Sequence, residues 1–133
     1  MKKISVSVLL FIMIMSVLIV HPVTAEDDII EIGVLQLVEH ASLDAAYRGF
    51  VDALKEAGYE DGVNIKIDYQ NAQGDQANLM TISERFVKNQ VDLILAIATP
   101  AAQSVASATT DIPILFTAVT DPIAARLVES NEA

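Results

Sequence analysis

The sequence predicts an α/β domain with a Rossmann-like, doubly wound parallel sheet, and two observations support this prediction. Segments of apolar, often β-branched residues alternate along the chain with segments in which apolar residues recur every three or four positions. The first pattern is typical of strands in a buried parallel sheet, and the second is typical of amphipathic helices. Because strands and helices alternate about four times, we expect helices on both faces of one sheet.

The first unit of the alternation is a strand over residues 29–37 followed by a helix over residues 42–57. The strand is apolar at most positions, so we expect it to be buried on both faces. Ser42 is a candidate N-cap of the helix, and Gly58 follows its end. Residues 62–69 then alternate apolar and polar side chains, which predicts an edge strand with one wetter face.

The later units repeat this scheme, beginning with a second helix that Asp75 can cap and that carries Leu79 and Phe86 on its apolar face. The segments that follow are predicted in this order: a strand over 91–98, a small-residue helix over 101–108, a strand over 112–119 and the start of a helix over 122–129. In a doubly wound sheet, the loops after the strands meet where the strand order reverses, and ligands usually bind there.

Residues 1–25 have the pattern of a secretory signal peptide. Lys2 and Lys3 give a positive start, and residues 4–20 form an uncharged apolar run. We expect cleavage after Ala25 and export to the periplasm. The alternative is an uncleaved signal that anchors the chain in a membrane, because the run approaches the ~20 residues that span a bilayer. The absence of cysteine excludes a disulfide and a lipid anchor on cysteine.

The rest of the chain, residues 26–133, is predicted to form one acidic domain. All 18 acidic side chains lie in it, with six of the eight basic ones, so its net charge is about −12. We therefore expect no nucleic-acid partner. The acidic residues form no long runs, which indicates a solvated surface rather than a cation site. The length suits one small core.

The loop after the third long strand contains candidate ligand-binding residues. Thr99 is a candidate cap, and Pro100 suits the first position of a helix because proline lacks an amide that would be unpaired there. The amides of Ala101 and Ala102 are then expected to be free, with small side chains that leave them accessible. A ligand carboxylate is the group that such amides bind.

The loop after the fourth strand has a similar form. Asp121 is a candidate cap and Pro122 a candidate first helical residue, and the negative charge of Asp121 suits an ammonium group. Thr117 and Thr120 add hydroxyl groups. The two loops can together hold a zwitterion by its two ends. Plain capping of two helices explains the same motifs, so that interpretation stays open.

The loop after the first strand contains His40, the only histidine after residue 25. One histidine makes no metal site, and without cysteine or a Ser-His-Asp arrangement there is no visible carrier for nucleophilic catalysis. The sequence therefore predicts that the protein is not an enzyme and that it binds neither a metal nor a cofactor. The same loop lacks glycine, which argues against nucleotide binding. His40 is a candidate ligand contact or an exposed loop residue.

Several short motifs occur in a fixed order over nearly all of residues 26–133. They are Ile32-Gly33-Val34-Leu35-Gln36, Glu39-His40, Gly49-Phe50, Gly58-Tyr59, Asn71-Ala72-Gln73-Gly74-Asp75, Ala98-Thr99-Pro100-Ala101-Ala102-Gln103 and Thr120-Asp121-Pro122. In this combination the chain resembles the substrate-binding proteins of bacterial ABC transporters, in particular those assigned to tryptophan or tyrosine uptake.

The resemblance implies one lobe of a type I periplasmic-binding-protein fold. In that family two Rossmann-like lobes close by a hinge around an aromatic amino acid or another small molecule, which is delivered to a membrane permease. By matching position, His40, residues 99–101 and residues 117–121 form this lobe's side of the cleft. Family members are much longer, so residues 26–133 correspond to the N-terminal lobe, with the second lobe absent.

Two function classes therefore stay open. The chain is a solute-binding component of an ABC importer, or it is a truncated lobe that persists as a structural or dimerising remnant without binding solute. A lone lobe exposes its cleft face, so a homodimer through that face is a further expectation. A phosphoacceptor receiver domain fits poorly, because Glu26, Asp27 and Asp28 precede the first strand instead of following it.

Overall fold

The computed structural model describes residues 29–130, which form four strands and three helices in strict alternation. The elements in chain order are β1 (Ile30–Gln36), α1 (Ala41–Glu56), β2 (Ile65–Asn71), α2 (Gln76–Asn89), β3 (Leu93–Ile97), α3 (Thr99–Ala108) and β4 (Ile114–Thr117). The predicted signal peptide and its cleavage after Ala25 lie outside the described residues. Within 29–130, no helix is long and apolar enough to cross a membrane.

The strands form one parallel sheet in the order β2-β1-β3-β4. The chain runs from β1 outward to β2, then returns past β1 to β3 and continues to β4. Strand order therefore reverses between β1 and β3, which is the arrangement of a doubly wound sheet. The predicted fold class is confirmed, and so is the position of β2 at an edge.

Two apolar layers cover the two faces of the sheet. The helix α1 packs on one face, against β1, β2 and β3. The helices α2 and α3 pack on the other face, mainly against β1 and β3. Side chains of β3 alternate between the layers, since Leu95 and Ile97 belong to the first and Ile94 and Ala96 to the second. The two central strands are thus buried on both faces, as predicted.

A close approach between β1 and α2 occurs at Gly33. A Cβ atom added to Gly33 would lie 2.8 Å from Cδ2 of Phe86, whose side chain is fully buried. The ring is enclosed by the second apolar layer and has no open side into which it can move. Glycine at this position therefore lets α2 pack closely on the sheet.

The start of α1 and the start of β2 differ from their predictions. The N-cap of α1 is His40 and not Ser42, because the His40 side chain accepts a hydrogen bond from the Ser42 amide. The strand β2 begins at Ile65 rather than near residue 62. The carbonyl of Glu60 accepts backbone bonds that fold residues 60–65 into a turn, and Val63 within it is exposed.

The predicted helix over residues 122–129 is wrong. This segment forms a hydrogen-bonded turn, in which the amide of Ala125 donates to the carbonyl of Asp121 and that of Leu127 to Pro122. Arg126 has a left-handed backbone conformation with φ 59°, which interrupts the helical path after one turn. The predicted cap of α2 is confirmed, since Asp75 accepts a bond from the Asn78 amide at 2.9 Å.

We predict that Gly33→Ala lowers the free energy of unfolding by about 1–3 kcal/mol, because the added methyl group overpacks the contact with Phe86. Gly49→Ala is the matched control. Gly49 lies in α1 with nothing within 4 Å of an added Cβ, so alanine is expected to stabilise the helix by roughly 0.5–1 kcal/mol. Urea unfolding of the three chains checks both signs, and a neutral Gly33→Ala variant contradicts the packing argument.

Candidate functional site

The carboxyl ends of all four strands lie at one edge of the sheet, because the strands are parallel. Backbone hydrogen bonds connect the loops there. The amide of Leu37 donates to the carbonyl of Ile97 at 3.3 Å, the amide of Gly74 to Leu37 at 2.8 Å, and the amide of Ala98 to Thr117 at 3.0 Å. The three predicted binding loops therefore begin from one continuous, hydrogen-bonded edge.

The loop after β3 is shorter than predicted. The helix α3 begins at Thr99, its N-cap is Ala98, and no side chain caps it, so Thr99 does not have the predicted capping role. The Ala102 amide donates to the carbonyl of Ala98 at 3.1 Å and is not free, because the helix starts earlier than expected. Ala101 precedes this first intrahelical donor, but the whole residue has no accessible surface, so its amide is not accessible as predicted.

Three non-glycine residues at this edge, Gln73, Ala98 and Ala118, have positive φ angles, and the last two directly follow strands. Ala98, which is 8% exposed, has φ 86° and ψ 154°, in a region that side chains other than glycine rarely adopt. Ala118, directly after β4, has φ 56°. The two residues follow the paired positions Ile97 and Thr117, so the chain turns sharply away from β3 and β4 at the same level.

The loops after β3 and β4 are joined by side chains. The Thr120 amide lies 3.5 Å from Oγ1 of Thr99, to which it donates. The Asp121 carboxylate accepts bonds from the amides of Ile123 and Ala124 at 3.1 and 2.9 Å, and both bonds reach Oδ1. Asp121 therefore caps a turn as predicted, although no helix follows. Its side chain is exposed.

His40 is held by hydrogen bonds to the start of α1. Its Nδ1 accepts from the Ser42 amide at 3.3 Å, and its carbonyl accepts from the Asp44 amide at 2.9 Å. The ring is exposed. The structure thus brings Thr99 into contact with Thr120, whereas His40 reaches the same edge of the sheet by way of the neighbouring strand β1.

Two residues at this edge escaped the sequence analysis. Gln36 ends β1, is fully buried and bonds to the start of α1. Its signal was present, since a polar residue ends an otherwise apolar strand. Ala98 gave no signal, because alanine at a strained backbone position is indistinguishable in sequence from alanine in a helix.

No group of three or more potential metal ligands occurs within residues 29–130. Among the described residues, two pKa values depart clearly from ordinary ones, and both groups lie outside the strand-end loops. Burial, with lesser contributions from Asp61 and Tyr69, raises the pKa of Tyr47. The hydrogen bond from Lys66 to Glu31 raises the pKa of that lysine. The loops at this edge carry exposed hydroxyls and carboxylates, among them those of Thr120 and Asp121, which are groups that hold a polar ligand.

Two open grooves run along the helices rather than across the strand ends. One, of about 480 Å³, lies between α2 and α3 and is lined in part by Met80 and Ser104. The other, of about 270 Å³, is lined in part by Pro100 and Gln103. Both lie between α2 and α3 on the outer helical layer, so the predicted binding residue Pro100 faces a groove between helices.

Comparison with known proteins identifies the class of this chain. Residues 31–133 match the model of the family described as ABC transporter substrate binding protein, and the chain belongs to that family. The members of the family bind solutes for ABC transporters and are not enzymes. The predicted recognition is confirmed.

A curated relative is a tyrosine-binding protein of Clostridioides difficile, 57% identical over 101 residues. The match covers 76% of this chain and 29% of the relative. The chain thus spans under a third of the length of the curated relative that it matches.

Solved structures support the predicted type I periplasmic-binding fold. A ligand-free, open substrate-binding protein with adhesive properties from Clostridium difficile matches with a TM-score of 0.76 and 53% identity, over 77% of this chain and 35% of the other. An ABC domain from Streptococcus pneumoniae in complex with L-Trp matches with a TM-score of 0.74 and 51% identity, over 77% and 34%. A conserved domain protein of Vibrio cholerae gives 0.75 and 49%, over 77% and 34%.

We predict that Ala98→Val lowers the free energy of unfolding by about 2 kcal/mol or more, since a β-branched side chain is strained at positive φ and overpacks a buried site. Ala98→Gly is the matched control. Glycine relieves the strain but loses a buried methyl group and gains freedom in the unfolded chain, so we expect a change within about 1 kcal/mol. Equal losses in both variants, measured by thermal unfolding, would show that the backbone at residue 98 is unstrained.

Proposed function

We propose that this chain is the N-terminal lobe of a solute-binding component of a bacterial ABC importer, and that its solute is an aromatic amino acid. The observation that supports this best is the strand order β2-β1-β3-β4, since solutes bind outside the carboxyl ends of strands where the order reverses. The family agrees with this proposal, and two relatives are described with chemically similar solutes, tyrosine and L-Trp.

The binding residues that we propose supply two kinds of contact. The first turn of α3 offers the Thr99 hydroxyl and the positive end of its helix dipole to the solute carboxylate. Asp121 offers its carboxylate to the solute ammonium, and Oδ2 is the oxygen that its capping bonds do not use among the described residues. The proposed set is His40, Thr99, Pro100, Ala101, Thr117, Thr120 and Asp121.

Export completes the proposal. The apolar run over residues 4–20 directs the chain out of the cytoplasm, and cleavage after Ala25 releases it into the periplasm, where a membrane permease receives the solute. An uncleaved signal that anchors the lobe to the membrane is the alternative. Mass determination of the exported chain distinguishes the two.

The alternative function is a remnant lobe that folds or dimerises without binding solute. The exposed Leu115 on β4, 49% accessible, is the observation that favours self-association, because β4 ends the sheet within the described residues. Light scattering of the purified chain measures its oligomeric state. A dimer that binds no solute supports the remnant, and a chain that binds solute contradicts it.

The first test is thermal unfolding of residues 26–133 with and without a panel of amino acids. A solute that binds only the folded state at 100 times its Kd adds about 2.7 kcal/mol of stability, and for a domain of this size that raises the Tm by roughly 10 °C or more. We expect L-Tyr or L-Trp to raise the Tm while L-Lys and L-Glu do not. A cooperative transition that no amino acid moves contradicts binding by this lobe.

The second test addresses Asp121. Asp121→Asn keeps an oxygen that can cap the turn but loses the charge, so we expect an unchanged Tm without solute and an affinity weaker by roughly tenfold or more. Asp111→Asn is the matched control, because Asp111 is also an exposed loop carboxylate but lies before β4, at the opposite end of that strand. Calorimetric titration measures both affinities. Equal affinities in the two variants would exclude Asp121 from the site.

A further inference from the structure

The end of β1 contains a buried polar residue where the pattern of the strand calls for an apolar one. Ile32 and Val34 belong to the layer that packs against α1. Gln36 follows on the same side of the strand, bonds to α1, and has no accessible surface. A buried amide contributes to stability only when its hydrogen bonds are made, so the partners of Gln36 explain its presence.

Both hydrogen bonds of the Gln36 side chain come from Nε2. It donates to the carbonyl of Val38 at 2.9 Å and to Oδ1 of Asp44 at 2.7 Å. Since two acceptors face the same atom, the orientation of the amide is determined. The Oε1 atom is left buried and without a hydrogen-bond partner in the described part of the chain. Burial of Oε1 without a hydrogen bond thus costs free energy, whereas Nε2 joins two neighbouring segments.

These two segments enclose a predicted binding residue. Val38 lies in the loop that leaves β1, and Asp44 lies in the first turn of α1. Between them is His40, which caps α1 through the Ser42 amide and bonds to the Asp44 amide through its carbonyl. One buried amide therefore fixes both ends of the segment that carries His40. It lies beneath the strand-end surface, which is the surface formed by the loops that follow the carboxyl ends of the strands.

We propose that Gln36 is a positioning residue of the solute site: it does not touch the solute but orders residues 37–42 so that His40 is held at the edge of the cleft. This proposal rests on the proposed function, because it assigns a role to a residue at the same edge of the sheet. Stability alone does not account for Gln36. A methionine of similar volume would fill the position without an orphaned oxygen, and Val38 is exposed and Asp44 half-buried, so neither acceptor residue lies in the core.

The test is Gln36→Met in the exported chain, followed by amide hydrogen exchange. We expect the Tm to be equal or higher, while the amides of Ser42 and Asp44 exchange faster by roughly tenfold to a hundredfold, the range that the loss of a hydrogen bond to a charged group supports. We expect the affinity for L-Tyr or L-Trp to weaken by about tenfold. If Gln36 were purely structural, Gln36→Met would lower the Tm. Faster local exchange and weaker binding would then not occur at an undiminished Tm.

Two further variants serve as controls. Ser83→Ala removes another buried polar group, one that bonds to Leu79 and Ser104 on the opposite face of the sheet, and is expected to lower the Tm without a selective effect on Ser42 and Asp44. Asp44→Ala removes the acceptor, so it should reproduce the faster exchange. The double variant with Gln36→Met should then add little, because both changes break the same bond.

The outcomes separate the two proposals. If the wild-type chain binds no amino acid, the proposed function fails, and the exchange rates alone decide whether Gln36 orders residues 37–42. If the wild type binds and Gln36→Met leaves either the exchange of Ser42 and Asp44 or the affinity unchanged, the positioning role is overturned. Faster local exchange together with weaker binding at an undiminished Tm supports it.

Discussion

The pairing of β1 with β3 is the constraint on which the rest of the structure depends. The two strands are adjacent in space but separated in sequence by α1, β2 and α2, and their register runs from Ile32 opposite Leu93 to Gln36 opposite Ile97. This pairing makes the strand order reverse. Because the strands are parallel and the crossovers lie on opposite faces, it also directs the loops after β1 and β3 to one edge, where neighbouring loops meet.

Burial on both faces of β1 and β3 supplies most of the stability of such a sheet. Each fully buried large apolar side chain contributes about 1.5–3 kcal/mol relative to exposure, and Val34, Leu35, Ile94 and Ile97 are all without accessible surface. The same burial restricts what fits between the layers. It accounts for a glycine beneath the ring of Phe86, and it makes each buried polar group costly unless it is bonded.

The strand-end surface combines a rigid base with locally capped loops. The backbone bonds between loops come from residues next to the strands, whereas the exposed candidate residues are held by caps: a histidine at the start of α1 and an aspartate at the turn after β4. Such a surface suits one wall of a cleft in a substrate-binding protein. It presents a few oriented oxygens at exposed positions, and polar groups of this kind fix the orientation of a ligand in binding sites.

The sequence by itself determined the fold class, the alternation of elements, the edge position of β2 and the likeness to ABC substrate-binding proteins. These features follow from the period of apolar residues and from short motifs, which are local. Only the tertiary structure decided the strand order, the cap at His40, the strained backbone of Ala98, the turn in place of the predicted helix over residues 122–129 and the buried bonds of Gln36. Each of these features depends on groups that are distant in sequence or on a competition between neighbouring capping residues. The apolar periodicity of one segment predicts neither kind of interaction.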